Sequence, residues 1–162
     1  MMKRSLAALI STVACAGGAH AAVLSESNLS MADAQKLATA TVAACQAKGY
    51  NVSAAVVDRA GLLKAFARAD NAGPHTIEAS RAKAFTAASA KTPTLAMLEN
   101  TQKNPGAATL TDIPGFLVLG GGVPIKAGNG VIGAIGVAGA PGGHLDAQCA
   151  EAVLEENAAL FK

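Results

Sequence analysis

Two very short turns between apolar, β-branched segments limit this chain to a small set of folds. Strand-like sequence occupies residues 52–57 and 62–68, and again residues 123–126 and 131–137. Residues 59–61 form the turn of the first pair, and Gly128-Asn129-Gly130 forms that of the second. Asn and Gly accept the positive φ angles that tight turns require. Because strands joined by so short a turn run antiparallel, we predict an antiparallel sheet.

Helical sequence alternates with these strands. The predicted helices are residues 30–48, 75–90, 94–102 and 146–160. Ser30 with Asp33 resembles a capping box, and Gly49 suits the end of the first helix. A fifth strand is predicted at residues 116–119. The resulting order, α-β-β-α-α-β-β-β-α, predicts one α+β domain with a five-stranded antiparallel sheet flanked by helices.

The first 21 residues read as a secretory signal peptide. Lys3 and Arg4 precede a short apolar run at residues 6–14, and Ala19-His20-Ala21 is a small-x-small cleavage sequence. We expect a mature chain from Ala22, exported to the periplasm or secreted. A short buried helix, or a lipoprotein ending at Cys15, are the alternative interpretations. No later apolar stretch reaches the roughly 18 residues of a membrane span.

Composition narrows the classes of function. Of 13 basic and 11 acidic residues, Lys3 and Arg4 leave with the signal peptide, so the mature chain is near neutral. A strongly basic surface is absent, which disfavours general nucleic-acid binding. The chain has no Trp and one Tyr, which disfavours an aromatic platform for stacking single strands. The chain is 51% apolar and 15% charged, which argues against disorder.

Two cysteines remain after the signal peptide, Cys45 and Cys149. Export into an oxidising compartment permits a disulfide between them. Two small buried thiols are the alternative, and the residues themselves do not decide between the two.

Gly128, Gly130 and Gly133 formally match the G-x-G-x-x-G pattern of dinucleotide sites. That fingerprint ends a strand and opens a helix, whereas these glycines occupy a hairpin and run into another strand. We therefore interpret them as residues of a turn and of close packing.

The mature histidines are His75 and His144, too few for a zinc site of three or four ligands. His75 follows a Gly-Pro turn at the start of a helix, where exposure is combined with rigid support. An imidazole there can bind haem iron. His144, in a Gly-rich loop, is the alternative ligand, and an ordinary surface or capping role is open for both.

A polar cluster comprises Arg68, Asp70, Arg81 and Lys83. Guanidinium groups recognise carboxylates, so haem propionates or a small organic acid would both fit. A solvated face with ordinary ion pairs is the alternative. Asp58 or Asp70 could serve as a base only if burial raised its pKa. Because no nucleophile with an obvious partner is visible, a binding protein is favoured over an enzyme.

At these residues the chain resembles the GlcG/HbpS-type family of haem-binding and glycolate-operon proteins. The matching segments are Val56-Val57-Asp58-Arg59-Ala60-Gly61, Arg68-Ala69-Asp70-Asn71-Ala72, Ala82-Lys83-Ala84-Phe85-Thr86-Ala87, Thr92-Pro93-Thr94, Gly120-Gly121-Gly122-Val123-Pro124-Ile125, Val131-Ile132-Gly133-Ala134-Ile135-Gly136-Val137, and the final loop with Asp146. They cover nearly the whole mature chain in order. Ala60 and Ala138 depart from the Gly and Ser that are usual in the family, and the second change removes a hydroxyl near the Gly-rich loop.

The resemblance implies a profilin-like sandwich, a homo-oligomer, and haem or a related tetrapyrrole as ligand, with haem sensing or iron handling in exported relatives. It supports His75 as the iron ligand without assigning it. The implied layout places the end of the first helix beside the start of the last, which predicts a Cys45–Cys149 disulfide. A small-carboxylate-binding accessory protein or enzyme of the glycolate-operon type is the alternative function.

Overall fold

The computed structural model describes residues 23–161, so the predicted signal peptide lies outside the described residues. The helices are α1 Met31–Gln46, α2 His75–Ala90, α3 Thr94–Lys103 and α4 Gly143–Glu156. The strands are β1 Ser53–Asp58, β2 Leu63–Arg68, β3 Gly122–Ala127 and β4 Gly130–Ala138. Short 3₁₀ helices occupy Pro105–Asp112 and Ala158–Phe161. Within residues 23–161 no helix is long and apolar enough to cross a membrane.

The four strands form one antiparallel sheet in the order β2-β1-β4-β3. The first strand of one hairpin pairs with the second strand of the other, from Ser53 opposite Ala138 to Asp58 opposite Gly133. Alternate residues of β1 point to opposite faces of the sheet. Val56 packs in a core with α1 and α4, whereas Val57 packs in a smaller core with α2. The sheet is therefore covered by helices on both faces.

The α2 face of the sheet is packed at unusually close range. The smaller core holds only Ala and Val side chains. A Cβ at Gly136 would collide with the carbonyl oxygen of Ser80, and one at Gly122 with that of Lys83. The glycines thus allow the backbone of α2 to lie directly on β3 and β4. This close contact explains why glycine occupies the end of the Gly120-Gly121-Gly122 segment.

The prediction of a fifth strand at residues 116–119 is wrong. The amide of Leu117 donates to the Thr86 hydroxyl at 2.8 Å. The carbonyl of Leu119 accepts from the Thr94 hydroxyl at 2.7 Å. Because helix side chains satisfy these backbone groups, the segment crosses α2 and α3 and does not pair with the sheet. The sheet has four strands, and the order becomes α-β-β-α-α-β-β-α.

The local signals for α1 are confirmed. The Ser30 hydroxyl accepts from the Asp33 amide at 3.1 Å, and the helix ends before Gly49, whose φ is +83°. The predicted disulfide is also present. Cys45 and Cys149 are joined at 2.13 Å across the α1–α4 contact, with both side chains fully buried.

Candidate functional site

A groove lies between the start of α2 and the loop that joins β4 to α4. On one side it is lined by His75, Ala79 and Lys83, and on the other by residues 138–143 with Leu119 and Asp146. Its volume is about 300 Å³. We call it the His75 groove. A larger cavity of about 540 Å³ lies between α1 and β2, but its lining has no histidine or carboxylate. The His75 groove is therefore the candidate site.

His75 lies at the rim of this groove as the first residue of α2. Its side chain is exposed. A Cβ at Gly73 would come within 2.8 Å of the imidazole Cε1, so the absence of a side chain there leaves room for the ring. Neither ring nitrogen has a hydrogen-bond partner among residues 23–161. The imidazole is therefore available to an outside ligand.

Lys83 and Asp146 form a buried ion pair beside the groove. The Lys83 Nζ donates to Asp146 Oδ2 at 2.8 Å and to the Val137 carbonyl at 2.9 Å. The Ala140 amide donates to Asp146 Oδ1 at 2.9 Å. Each residue of the pair is only 2% exposed. Burial raises the pKa of Asp146, although the Lys83 charge and the Ala140 amide act in the opposite direction.

The structure does not bring the predicted polar cluster together. Lys83 is buried against Asp146, so it is not part of an exposed binding face with Arg81. Arg81 instead pairs with Glu78 one turn earlier, with its Nε at 3.0 Å from the carboxylate. The Arg68 guanidinium donates to the Ala72 carbonyl. Asp70 is exposed and does not line the groove.

Asp58 is buried but engaged in the β1–β2 turn. Its Oδ1 accepts from the amides of Ala60 and Leu62, at 2.9 and 3.0 Å. Both bonds fix the turn that joins the strands, which explains why this carboxylate is buried. Asp58 does not line the groove.

His144 is exposed in the first turn of α4 and not in a free loop as expected. Its imidazole lies close to Gly142, where a Cβ would be 2.8 Å from Cε1. It neighbours the groove without lining it. In the part of the chain described, no three His, Cys, Asp or Glu side chains cluster as metal ligands.

Sequence reasoning missed the Lys83–Asp146 pair. Asp146 was interpreted as the start of the last helix and as part of the family-matching final loop, and Lys83 as a member of a polar face. A signal was present in the sequence, because Lys83 follows His75 and Ala79 at i+4 spacing in an otherwise Ala-rich helix. Only the Lys83 end of that stripe is buried, against β4 and α4, where a lysine needs a partner.

The fold and site define an α+β protein of profilin-like architecture, with an open groove rimmed by one free imidazole. The family model described as haem degrading protein HbpS-like matches residues 29–155. The chain belongs to this HbpS-like family, as the sequence segments had indicated. Protein GlcG of Escherichia coli strain K12 is 37% identical over 107 residues, covering 64% of this chain and 78% of GlcG.

Solved structures agree with this assignment. A double mutant of HbpS from Streptomyces reticuli is 40% identical, covers 95% of this chain and 99% of its own, and superposes with a TM-score of 0.77. A further HbpS crystal structure is 42% identical over 89% of this chain and 98% of its own, with a TM-score of 0.78. The PduOC:heme complex is 25% identical, covers 79% of this chain and 94% of its own, and has a TM-score of 0.70.

Proposed function

We propose that this protein binds haem at the His75 groove, with the His75 imidazole as the iron ligand. The observation that carries the proposal is the exposed imidazole, without a hydrogen-bond partner in residues 23–161, at the rim of the groove. The family description names haem, and one structural relative is a haem complex. Bound haem would supply iron redox chemistry, and the protein would supply an iron ligand, His75, and the walls of the groove.

The groove fits part of a tetrapyrrole. Its walls carry the apolar side chains of Ala79, Leu119 and Pro141, which suit a flat apolar ring. A volume of about 300 Å³ is at the lower end of small-molecule sites. Leu119 and Ile77 are 43% and 39% exposed, so apolar surface continues outside the groove. This arrangement supports a partly exposed haem and not a deeply enclosed one.

The propionates would be bound by arginine and not by Lys83. Arg81 is on the same helix as His75, and its ion pair with Glu78 is solvent-exposed. Exposed pairs of this kind contribute roughly 0–1 kcal/mol, so Arg81 can exchange its partner at little cost. Arg68 is exposed and now bonds a backbone carbonyl, which makes it the second candidate.

The geometry gives less support to a site for a small carboxylate. The one buried cation that lines the His75 groove is Lys83, and its charge is already neutralised by Asp146. Neither Asp58 nor Asp70 reaches the groove to act as a base. We therefore retain haem as the ligand.

The wider role is proposed from the N-terminal sequence and from the family resemblance. We propose export with cleavage near Ala21 and Ala22, a periplasmic or secreted location, and a part in haem sensing or iron handling. Self-association into a homo-oligomer belongs to the same proposal. Lys3, Arg4, the apolar run at residues 6–14 and the small residues Ala19 and Ala21 support export.

The direct test is titration of the disulfide-bonded protein with hemin, followed by the Soret band. We expect saturable one-site binding in the wild type. His75→Ala should abolish the binding or shift the band, because it removes the iron ligand. His144→Ala is the matched control, since this exposed histidine also lies in the first turn of a helix but does not line the groove. An unchanged spectrum in His75→Ala would remove His75 from the site, and loss in His144→Ala alone would assign the iron to the alternative ligand.

A further inference from the structure

Four separate parts of the fold meet at the Lys83–Asp146 pair. Lys83 lies on α2, two helical turns after His75. Its ammonium group bonds the end of β4 through the Val137 carbonyl, and α4 through the Asp146 carboxylate. The second carboxylate oxygen accepts the amide of Ala140, in the loop opposite His75. Two successive hydrogen bonds, from Lys83 to Asp146 and from Ala140 to Asp146, therefore join the two walls of the His75 groove, and a third ties Lys83 to the end of β4.

The backbone beside the pair leaves space for it. Gly121 has a φ of +121°, and a Cβ there would lie 3.0 Å from the Lys83 Nζ and 2.8 Å from the Asp146 Cβ. Both the positive φ and the lack of space disfavour any larger residue. The lack of a side chain at Gly121 thus leaves the space that the Lys83 ammonium group occupies.

The pair is not explained by stability alone. Removing two charges from water costs about as much as their attraction returns, so an apolar pair of similar volume would serve the core equally well. An ion pair differs from an apolar pair in its directionality, because its hydrogen bonds fix distances and angles. In this fold the atoms so fixed include the Ala140 amide, which belongs to the wall of the groove.

We propose that Lys83 and Asp146 are positioning residues, which hold the loop at residues 139–142 against α2 and thereby set the shape of the His75 groove. This inference rests on the proposed haem function. His75 remains the iron ligand. The pair sets the distance between the imidazole and the opposite wall, and with it the surroundings of the iron.

The test compares wild type with Asp146→Asn and with the double variant Lys83→Met and Asp146→Leu. Lys126→Met is the matched control, because this lysine is exposed on β3 and away from the groove. Each protein is titrated with hemin, and the Soret maximum and dissociation constant are recorded. Hydrogen exchange of the Ala140 amide is measured without hemin, and urea unfolding confirms that each variant is folded.

We expect the double variant to fold and to lose about tenfold or more in hemin affinity. Loss of the groups that support a metal ligand typically lowers metal affinity by about this factor. Its Soret maximum should shift, and its Ala140 amide should exchange faster, while Lys126→Met matches wild type. A folded double variant with wild-type affinity, Soret maximum and Ala140 exchange would overturn the proposal. If wild type itself shows no saturable hemin binding, the proposed haem function is refuted. Unchanged exchange of the Ala140 amide in the double variant would separately refute the positioning role.

Discussion

At the scale of single residues, the hydrogen-bond partners of a polar side chain decide whether it is available to a ligand. His75 is exposed and unbonded within residues 23–161, so it is available to a ligand. Lys83, two turns along the same helix, is buried and fully committed to Asp146 and a carbonyl. Asp58 is buried as well, yet two backbone amides hold it in a turn. Burial alone therefore does not identify the residue that can bind a ligand. What identifies it is whether its polar atoms already have hydrogen-bond partners.

Breaking the Lys83–Asp146 pair on one side should be far more costly than removing both charges. Asp146→Ala removes the acceptor of both the Lys83 ammonium group and the Ala140 amide in a site that is 2% exposed, whereas a protonated Asp146 keeps its oxygens in place. We expect a loss of about 3–5 kcal/mol in the free energy of unfolding, against a small change in the Lys83→Met and Asp146→Leu double variant. Urea denaturation of the three proteins measures this difference. A single variant as stable as the double variant would show that the pair is solvated.

The pH dependence of stability follows from the raised pKa of Asp146. Burial raises this pKa in the folded state above the unfolded value of about 3.9, so the folded state binds more protons in the interval between them. Relative to the double variant, wild type should therefore lose stability as pH rises through that interval, and recover it on acidification. Urea unfolding of both proteins between pH 3 and 7, about the range in which carboxyl groups titrate, checks the sign. The prediction would be contradicted if the difference in the free energy of unfolding between the two proteins were constant with pH. It would also be contradicted if the variant became more stable relative to wild type at lower pH.

At the scale of elements, the contact between α2 and the sheet positions the candidate site. This helix carries both His75 and Lys83, and it lies on β3 and β4 at a distance that only glycine permits. At Gly136 an added Cβ would meet the backbone of Ser80 and Ala84, which cannot move without shifting the helix. The placement of the groove wall is thus a consequence of small residues in the strands.

Gly136→Ala should destabilise the protein by about 2–3 kcal/mol, because overpacking at rigid backbone forces α2 away from β4. Gly130→Ala is the control, since its nearest contact is at 3.7 Å and its φ is not positive. We expect that change to lie within about 0.5 kcal/mol of wild type. Thermal and urea unfolding measure both, and equal effects of the two substitutions would refute the close-contact explanation.

At the scale of the whole molecule, two cores on opposite faces of the sheet are unequal in size. The α1–α4 face holds most of the large aliphatic side chains, and the disulfide crosses it. The α2 face holds alanine and valine only. The larger core and the disulfide therefore lie on the α1–α4 face, whereas α2, which carries His75, covers the other face.

Removing the disulfide should lower stability without changing the fold. Cys45 and Cys149 are 104 residues apart, and a crosslink over about 100 residues contributes up to about 4–5 kcal/mol in the chain-entropy model. We expect the Cys45→Ala and Cys149→Ala double variant to unfold at lower urea concentration, with unchanged far-UV circular dichroism. Mass spectrometry without reductant should show no free thiol in wild type. Two free thiols in the exported protein would contradict the crosslink.

The sequence by itself determined the features that depend on neighbouring residues. The two hairpins, the Ser30 cap, the Gly49 stop and the start of α2 at His75 all follow from turn chemistry and helix periodicity, and the structure confirms them. The ordered family segments predicted the sandwich and, through its layout, the disulfide. His75 was singled out for its place after a Gly-Pro turn, and it does lie at the groove.

Tertiary structure decided what depends on partners distant in the chain. Residues 116–119 have strand-like sequence, but the Thr86 and Thr94 hydroxyls bind their backbone, so no strand forms. Lys83 and Asp146 are 63 positions apart, and only the approach of α2 to α4 makes them a pair. Local propensity describes one segment at a time, whereas burial and hydrogen-bond partners belong to the assembled sheet and helices; for that reason the groove and its buried pair were fixed by the fold.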